Sequence, residues 1–546
     1  MATRLEGALT LAGIFTDQAV LQREAAVPVW GWADPGAEIV LEFAGQKVTT
    51  ITGSDGKWIT KLAAMAASAE PRVLKITAGD QSLTRSEVLV GDVWLCSGQS
   101  NMDASMSTPS PVLREAITKA GNPHLRLFAT LNQFPDAPVQ DTTGRWEPAT
   151  PETVKRWTAV GYLFGLRIQR ELGVPVGIVC SARGGTRIET WLPTAMLAAN
   201  PANQFFLQKH AEAVQRFPEA MADYQKASEE FKRQFPNAKA IASENQSRRE
   251  RGEQAIRQPR EPAGRPGSAT NPAACYNGKI APLLPYALKG VLWYQGEGNV
   301  SGFSGYPSQM ADLTRSWREG FQIPNLPFIA TELAPLGPPS PQPQDAARAR
   351  FGEALAKVEK NDPQAWVVTI VDGGDPEDIH PAQKEIPAER FAAMALAKVY
   401  GRNLVAHGPR LESWKAEAGK AVLKFSSVGG GLVARGLQLG GHSLSEDKLA
   451  GFELAGADRK LVRAEARVVG NDTLVIESPE VPQPVAVRYA WGAFPLCNLF
   501  NQEGFPAYPF RTDSWPWMTP ADVHPAKNVE RAAIPSTPAP RLAPAP

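Results

Sequence analysis

The sequence predicts an α/β domain whose parallel sheet is covered on both faces, flanked by two β-sandwiches. Three observations carry this. Short, partly alternating strand patterns fill the first ninety residues and return after Arg410. Between them, near-continuous apolar runs alternate with helical stretches. Such runs mark strands buried on both faces of a parallel sheet.

The leading sandwich, residues 8–88, is read from Val27–Trp32, Glu38–Phe43 and Trp58–Leu62. Asp34-Pro35-Gly36 and Gly53-Ser54-Asp55-Gly56 supply the turns between them. The α/β domain is read over residues 89–408. Its strands are Val93–Cys96, Val176–Cys180, Gly290–Tyr294, Phe328–Ala330 and Trp366–Val371, with helices over Ala159–Leu172 and Ala388–Val399. An insertion near residues 200–272 begins with a helix over Phe205–Phe235. A polar, solvated excursion follows from Asn237 to Thr270. The second sandwich, residues 409–517, rests on Ala421–Phe425, Leu474–Glu477 and Ala486–Ala490. Residues 518–546 are Pro/Ala-rich and read as a disordered tail.

A chain of 546 residues exceeds one ordinary core. With 43% hydrophobic and 21% charged residues it has a globular composition, and a net charge of +1 sets up no field for nucleic acid. No run of about 18 apolar residues predicts a membrane span. Most of the fourteen tryptophans are expected in cores. Cys96, Cys180, Cys275 and Cys497 form no C-x-x-C pair and are expected as buried free thiols.

Ligands of an open α/β sheet bind beyond the carboxyl ends of its strands. Four strand ends carry suggestive residues. After Cys96 comes Ser97-Gly98-Gln99-Ser100-Asn101-Met102, where a strand-to-helix turn can expose a nucleophilic serine. A helix cap explains that motif alone equally well. After Cys180 comes Ser181-Ala182-Arg183-Gly184-Gly185-Thr186, whose Gly-Gly turn lets a backbone N–H approach a substrate. After Tyr294 comes Gln295-Gly296-Glu297-Gly298-Asn299, with an amide able to donate to an oxyanion. After Val371 comes Asp372-Gly373-Gly374-Asp375-Pro376-Glu377-Asp378-Ile379-His380-Pro381, where a histidine stands close to acids. The other five histidines lie away from these strand ends, so His380 is the favoured base. Nucleophile, oxyanion donors and base make a full acyl-transfer set. A metal-dependent deacetylase is disfavoured: there is no histidine cluster and no H-E-x-x-H. A non-catalytic carbohydrate-binding protein is the competing reading, opposed by the intact Ser100, Gln295 and His380.

The stretch Gly91–Met102 resembles the nucleophile block of the sialate O-acetylesterase family, within the SGNH hydrolases. Gly184-Gly185-Thr186 with Glu189 and Trp191, then Trp293–Glu297, then Asp378-Ile379-His380-Pro381, resemble its later blocks in order. Ile14–Asp17 with Val20–Arg23, and Asn498–Asn501 with Gly504–Ala507, are similar to its outer parts. The resemblance spans about residues 10 to 515. It implies a three-layer α/β/α, flavodoxin-like SGNH hydrolase domain and a serine esterase that deacetylates a carbohydrate, as sialate O-acetylesterases and acetylxylan esterases do. Ser100 would attack and His380 would act as base. The backbone N–H groups of Ser100 and Gly185, with Gln295, would form the oxyanion hole. Gln99, Asn101, Arg187, Glu297 and Asn299 would line the sugar site.

The triad acid stays open. Asp378 fits the Asp-Ile-His-Pro form, Glu377 sits three residues before the histidine as in many SGNH enzymes, and a dyad held by a backbone carbonyl is the third option. Gly298 stands where the family usually has serine, and Arg187 follows Gly-Gly-Thr, where it could reach an acidic sugar. No cofactor and no metal are implied. The expected partner is an acetylated oligo- or polysaccharide. The chain is expected to be secreted or periplasmic after loss of a signal peptide, with a cytoplasmic location as the alternative.

Overall fold

A computed structural model describes residues 8–340 and 342–517, so the Pro/Ala-rich 518–546 segment lies outside the described residues. The α/β domain is built on six strands: β1 (Gln81–Gly98), β2 (Asn122–Ala129), β3 (Val176–Ala182), β4 (Gly290–Tyr294), β5 (Phe328–Thr331) and β6 (Ala365–Val368). Their order is β2-β3-β1-β4-β5-β6, all parallel, with Trp146–Ala149 added antiparallel at the β2 edge. Without the added β2, the other five follow the doubly wound order second–first–third–fourth–fifth. The chain therefore reverses direction between β1 and β4, which makes a crevice at their carboxyl ends.

Helix α1 (Ser100–Asp103) follows β1 directly. Helices α2 (Ala159–Leu172) and α7 (Glu385–Lys398) pack together on the sheet; so, as a second pair, do α5 (Tyr306–Phe321) and α6 (Ala347–Asn361). The termini of α2 follow the sequence. Thr158 Oγ1 accepts from the Gly161 N–H at 3.2 Å, and Gly173 ends the helix in the left-handed region. Trp94, Trp293 and Trp317 are fully buried in the core. All four cysteines are free, and burial pushes the thiols of Cys180, Cys275 and Cys497 up to about 12.

The leading β layers are not set apart from this domain by a linker. β1 is a single 18-residue strand. Its first half pairs antiparallel with Ser68–Ala78, and Val20–Gln22 adds parallel to its middle. Its second half is the centre of the α/β sheet. After residue 409, antiparallel sheets return: one of order Arg410–Glu417, Lys420–Ser426, Thr473–Glu477, Glu465–Val469, and a second around Phe452–Ala455 and Ala486–Tyr489.

β2, α5 and α6 are absent from the sequence reading, and two elements that it contains differ in the structure. β6 stops at Val368 rather than Val371, because Arg390 Nη1 takes the Thr369 carbonyl at 2.7 Å and its guanidinium forks onto Asp372. The insertion holds α3 (Gln204–Gln234) as expected, but part of the polar excursion is a second helix, α4 (Ala238–Glu250). Asn237 Oδ1 caps it by accepting from the Ala240 N–H, and Glu244 pairs with Arg248 one turn on. Neither helix has a fully buried residue, so apolar periodicity could not reveal α4. Among the described residues no helix is long and apolar enough to cross a membrane.

Candidate active site

Gly98 ends β1 with φ at +135°. A Cβ there would lie 2.1 Å from the Tyr294 carbonyl oxygen, so only glycine lets β1 and β4 meet at this point. The chain then turns at Gln99 and enters α1 with Ser100 as its first residue. The Ser100 hydroxyl stands at the crevice between β1 and β4.

His380 arrives from the loop after β6. Asp375 Oδ1 accepts the backbone N–H groups of Glu377 and Asp378 at 2.8 and 3.1 Å, closing a turn. That turn folds Asp378 back, and its Oδ1 accepts the His380 backbone N–H at 2.8 Å. The same oxygen lies 3.4 Å from His380 Nδ1. On the other side of the ring, Nε2 is 2.9 Å from Ser100 Oγ. Serine, imidazole and carboxylate thus stand in one line. Of the two acids, Asp378 is the one that pairs with the ring. The group is open to solvent: the His380 side chain is 48% exposed and that of Asp378 61%.

The Gly184-Gly185 turn follows β3. A Cβ on Gly184 would lie 3.4 Å from that of Ser100, whereas the space in front of Gly185 is empty. Gly185 is exposed with φ at +73°, which leaves its backbone unshielded beside the serine.

Gln295 was expected to donate to an oxyanion, and its surroundings show a different job. It is fully buried. Its Nε2 donates to Asn299 Oδ1 at 2.8 Å, with Gln99 Oε1 and Thr186 O at 3.1 and 3.2 Å, and its Oε1 accepts from the Tyr306 hydroxyl at 2.7 Å. An amide has two hydrogens, and these acceptors occupy both. Gln99 and Asn299, expected on the sugar, are also buried struts. Gln99 Oε1 accepts from the Gly296 and Gly298 N–H groups, and Asn299 bridges the Ile188 N–H to Glu189. A side chain without exposed surface and with its polar atoms committed has nothing left for a substrate.

Asn101 is likewise buried. Its Nδ2 donates to Glu297 Oε1 at 2.6 Å and to the Ile379 carbonyl at 3.0 Å, while its Oδ1 accepts from Lys384 Nζ at 2.6 Å. One amide therefore bridges a buried cation and a carboxylate. Burial pulls Lys384 down to about 8 and pushes Glu297 above its usual range. Glu297 Oε2 is buried with no partner. Arg187 is also committed: it donates to the Gly298 carbonyl at 2.6 Å and pairs with Glu189 at 3.0 Å. Sequence reading missed Lys384 and Tyr306. The only local hint was a lysine four residues after His380, at the entrance to an apolar helix.

Comparison with known proteins gives the family of the chain. The family described as carbohydrate esterase, sialic acid-specific acetylesterase, matches residues 90–235 and 276–384. A solved carbohydrate acetylesterase from Xanthomonas citri is 32% identical, covers 93% of this chain and all of its own, and superposes with a TM-score of 0.74. The chain belongs to this carbohydrate acetylesterase family. It is an esterase. Sialate O-acetylesterases of mouse and human are each 26% identical, over 90% and 91% of this chain and 92% and 91% of their own lengths. Both matched segments of the family description contain loops of the crevice: the first holds Ser100 and Gly185, the second Gln295 and His380. The excised interval, residues 236–275, holds α4 and the return to the core.

Proposed function

We propose that this carbohydrate acetylesterase works through an acetyl-serine intermediate on Ser100. The observation that carries the reading is the 2.9 Å contact between His380 Nε2 and Ser100 Oγ, with Asp378 on the far side of the ring. His380 Nε2 takes the hydroxyl proton as Ser100 Oγ bonds to the acetyl carbonyl carbon. The carbonyl oxygen becomes an oxyanion, held by the backbone N–H groups of Ser100 and Gly185. The C–O bond to the sugar breaks, and the imidazolium gives its proton to the departing sugar oxygen. A water, deprotonated by His380, then attacks the acetyl-serine; the Oγ–C bond breaks, the imidazolium returns the proton to Ser100 Oγ, and acetate leaves.

Asp378 keeps the Nδ1–H tautomer and steadies the imidazolium. Gln295, Gln99 and Asn299 support the loops that carry the oxyanion donors, so their contribution is preorganisation. The half-buried serine and the exposed histidine suit an acetyl group presented on an acetylated oligo- or polysaccharide as well as on a single sugar. Release of acetate from O-acetylated sialic acid, xylan and pectin fragments tests the reading. Acetate from at least one of them is expected, and none from any would overturn it.

A further inference from the structure

Lys384 stands at the entrance to α7, four places after His380, and its side chain is buried. Nζ donates to Asn101 Oδ1 at 2.6 Å, and among the described residues the ammonium makes no ion pair. An ammonium can only donate, and a backbone carbonyl can only accept. Lys384 therefore sets which way the Asn101 amide faces. Its oxygen turns toward α7, and its NH2 is left for the Ile379 carbonyl and Glu297. With the amide turned over, Asn101 Oδ1 would meet the Ile379 carbonyl, acceptor against acceptor. Ser100 precedes Asn101 and His380 follows Ile379, so the direction of one amide decides whether the two reacting residues are clipped together.

Three carboxylates act on the ammonium: Glu297 from the loop after β4, Asp378 from the His380 loop and Glu385 from α7. Glu297 in turn feels the Arg348 guanidinium of α6. Glu297 and Glu385 each keep one buried oxygen without a partner. Burial pulls Lys384 down to about 8, against the upward pull of the three carboxylates. Once deprotonated, the amine carries a lone pair and can accept as well as donate. It then makes a weaker bond to Oδ1 and no longer selects the oxygen of the amide over its NH2.

We propose that the Lys384 ammonium is a positioning group for the esterase: it orients the Asn101 amide so that the Ser100 helix stays clipped to the His380 loop, and loss of its proton loosens the clip. This rests on the Ser100 reading above. Lys384 touches no reacting atom and exchanges no proton with the substrate.

The test measures kcat and KM for para-nitrophenyl acetate, corrected for spontaneous hydrolysis, from about pH 6 to about pH 10 in the wild type, Lys384→Met and Lys384→Arg. At neutral pH, Lys384→Met should lower kcat by about tenfold or more and leave KM within about threefold. The wild-type kcat should fall as pH rises through about 8. Lys384→Met should lack that fall. Lys384→Arg keeps its charge throughout, so it should restore most of kcat and hold its plateau to about pH 10. A folded Lys384→Met enzyme with wild-type kcat overturns the proposal, as does one that keeps the alkaline fall unchanged. Should the variants not fold, the wild-type profile decides: a fall through about 8 supports the role, and a flat kcat to about pH 10 overturns it. Ser100→Ala separates the two readings. If it still turns over, the esterase mechanism itself fails; if Ser100 is required and kcat ignores Lys384, only the role of Lys384 does.

Discussion

Asn101 Nδ2 donates to the Ile379 carbonyl at 3.0 Å, and so ties the helix that carries Ser100 to the loop that carries His380. The neighbouring residues on the two sides are the ones that meet at 2.9 Å. The clip is held in turn by Glu297 and Lys384, which grip the two ends of the same amide.

Asn101→Ala should therefore act on rate and stability together. The nucleophile–base distance loses its tether, so kcat should fall by about a hundredfold while KM changes little. Lys384 and Glu297 would be left buried and unbridged, at a cost of about 3 kcal/mol. Steady-state kinetics and urea denaturation check both. An unchanged kcat in a folded variant would show that the tether does not set the catalytic distance.

The acid behind His380 is decided by a paired substitution. Asp378→Asn should lower kcat by about a thousandfold, because the wrong tautomer of the imidazole is then favoured. Glu377→Gln should stay within about threefold of the wild type, as expected for a carboxylate that does not pair with the base. The reverse ranking, measured as acetate release at saturating substrate, would reassign the acid to Glu377.

Glu332 gives a pH-dependent stability. Burial pushes its carboxyl from 4.5 up to about 7. Between these values the folded chain holds a proton that the unfolded chain has released. Its contribution to stability is therefore present below pH 4.5 and is lost as pH rises through 7. Glu332→Gln removes the charge that burial penalises. The variant should gain stability relative to the wild type between pH 5 and pH 8, by up to about 3 kcal/mol. Thermal melting at the two pH values measures this, and a pH-independent difference would contradict it.

The doubly wound core was readable because its strands are buried on both faces and so appear as unbroken apolar runs, as in Gly290–Tyr294. The crevice loops were readable for a related reason, since each follows such a run directly. Side-chain commitments were not readable. Gln295 looks like a free donor in sequence, yet Asn299, Gln99 and Thr186 converge on its amide from three different loops. Asn101, Glu297 and Lys384 are separated by up to 283 residues and meet only in the fold. The choice between Asp378 and Glu377 also escaped spacing, because the turn closed by Asp375 decides which carboxylate points back. The helix Ala238–Glu250 was missed because a solvated helix needs no apolar stripe.

In the proposed mechanism Ser100 carries the acetyl group. Acetate release from an acetylated sugar, or para-nitrophenyl acetate turnover, measured side by side for the wild type and Ser100→Ala, tests it most directly. Wild-type turnover is expected, with a loss of at least about a thousandfold in the variant and its melting temperature preserved. A folded Ser100→Ala enzyme that still turns over at near wild-type rate would contradict it.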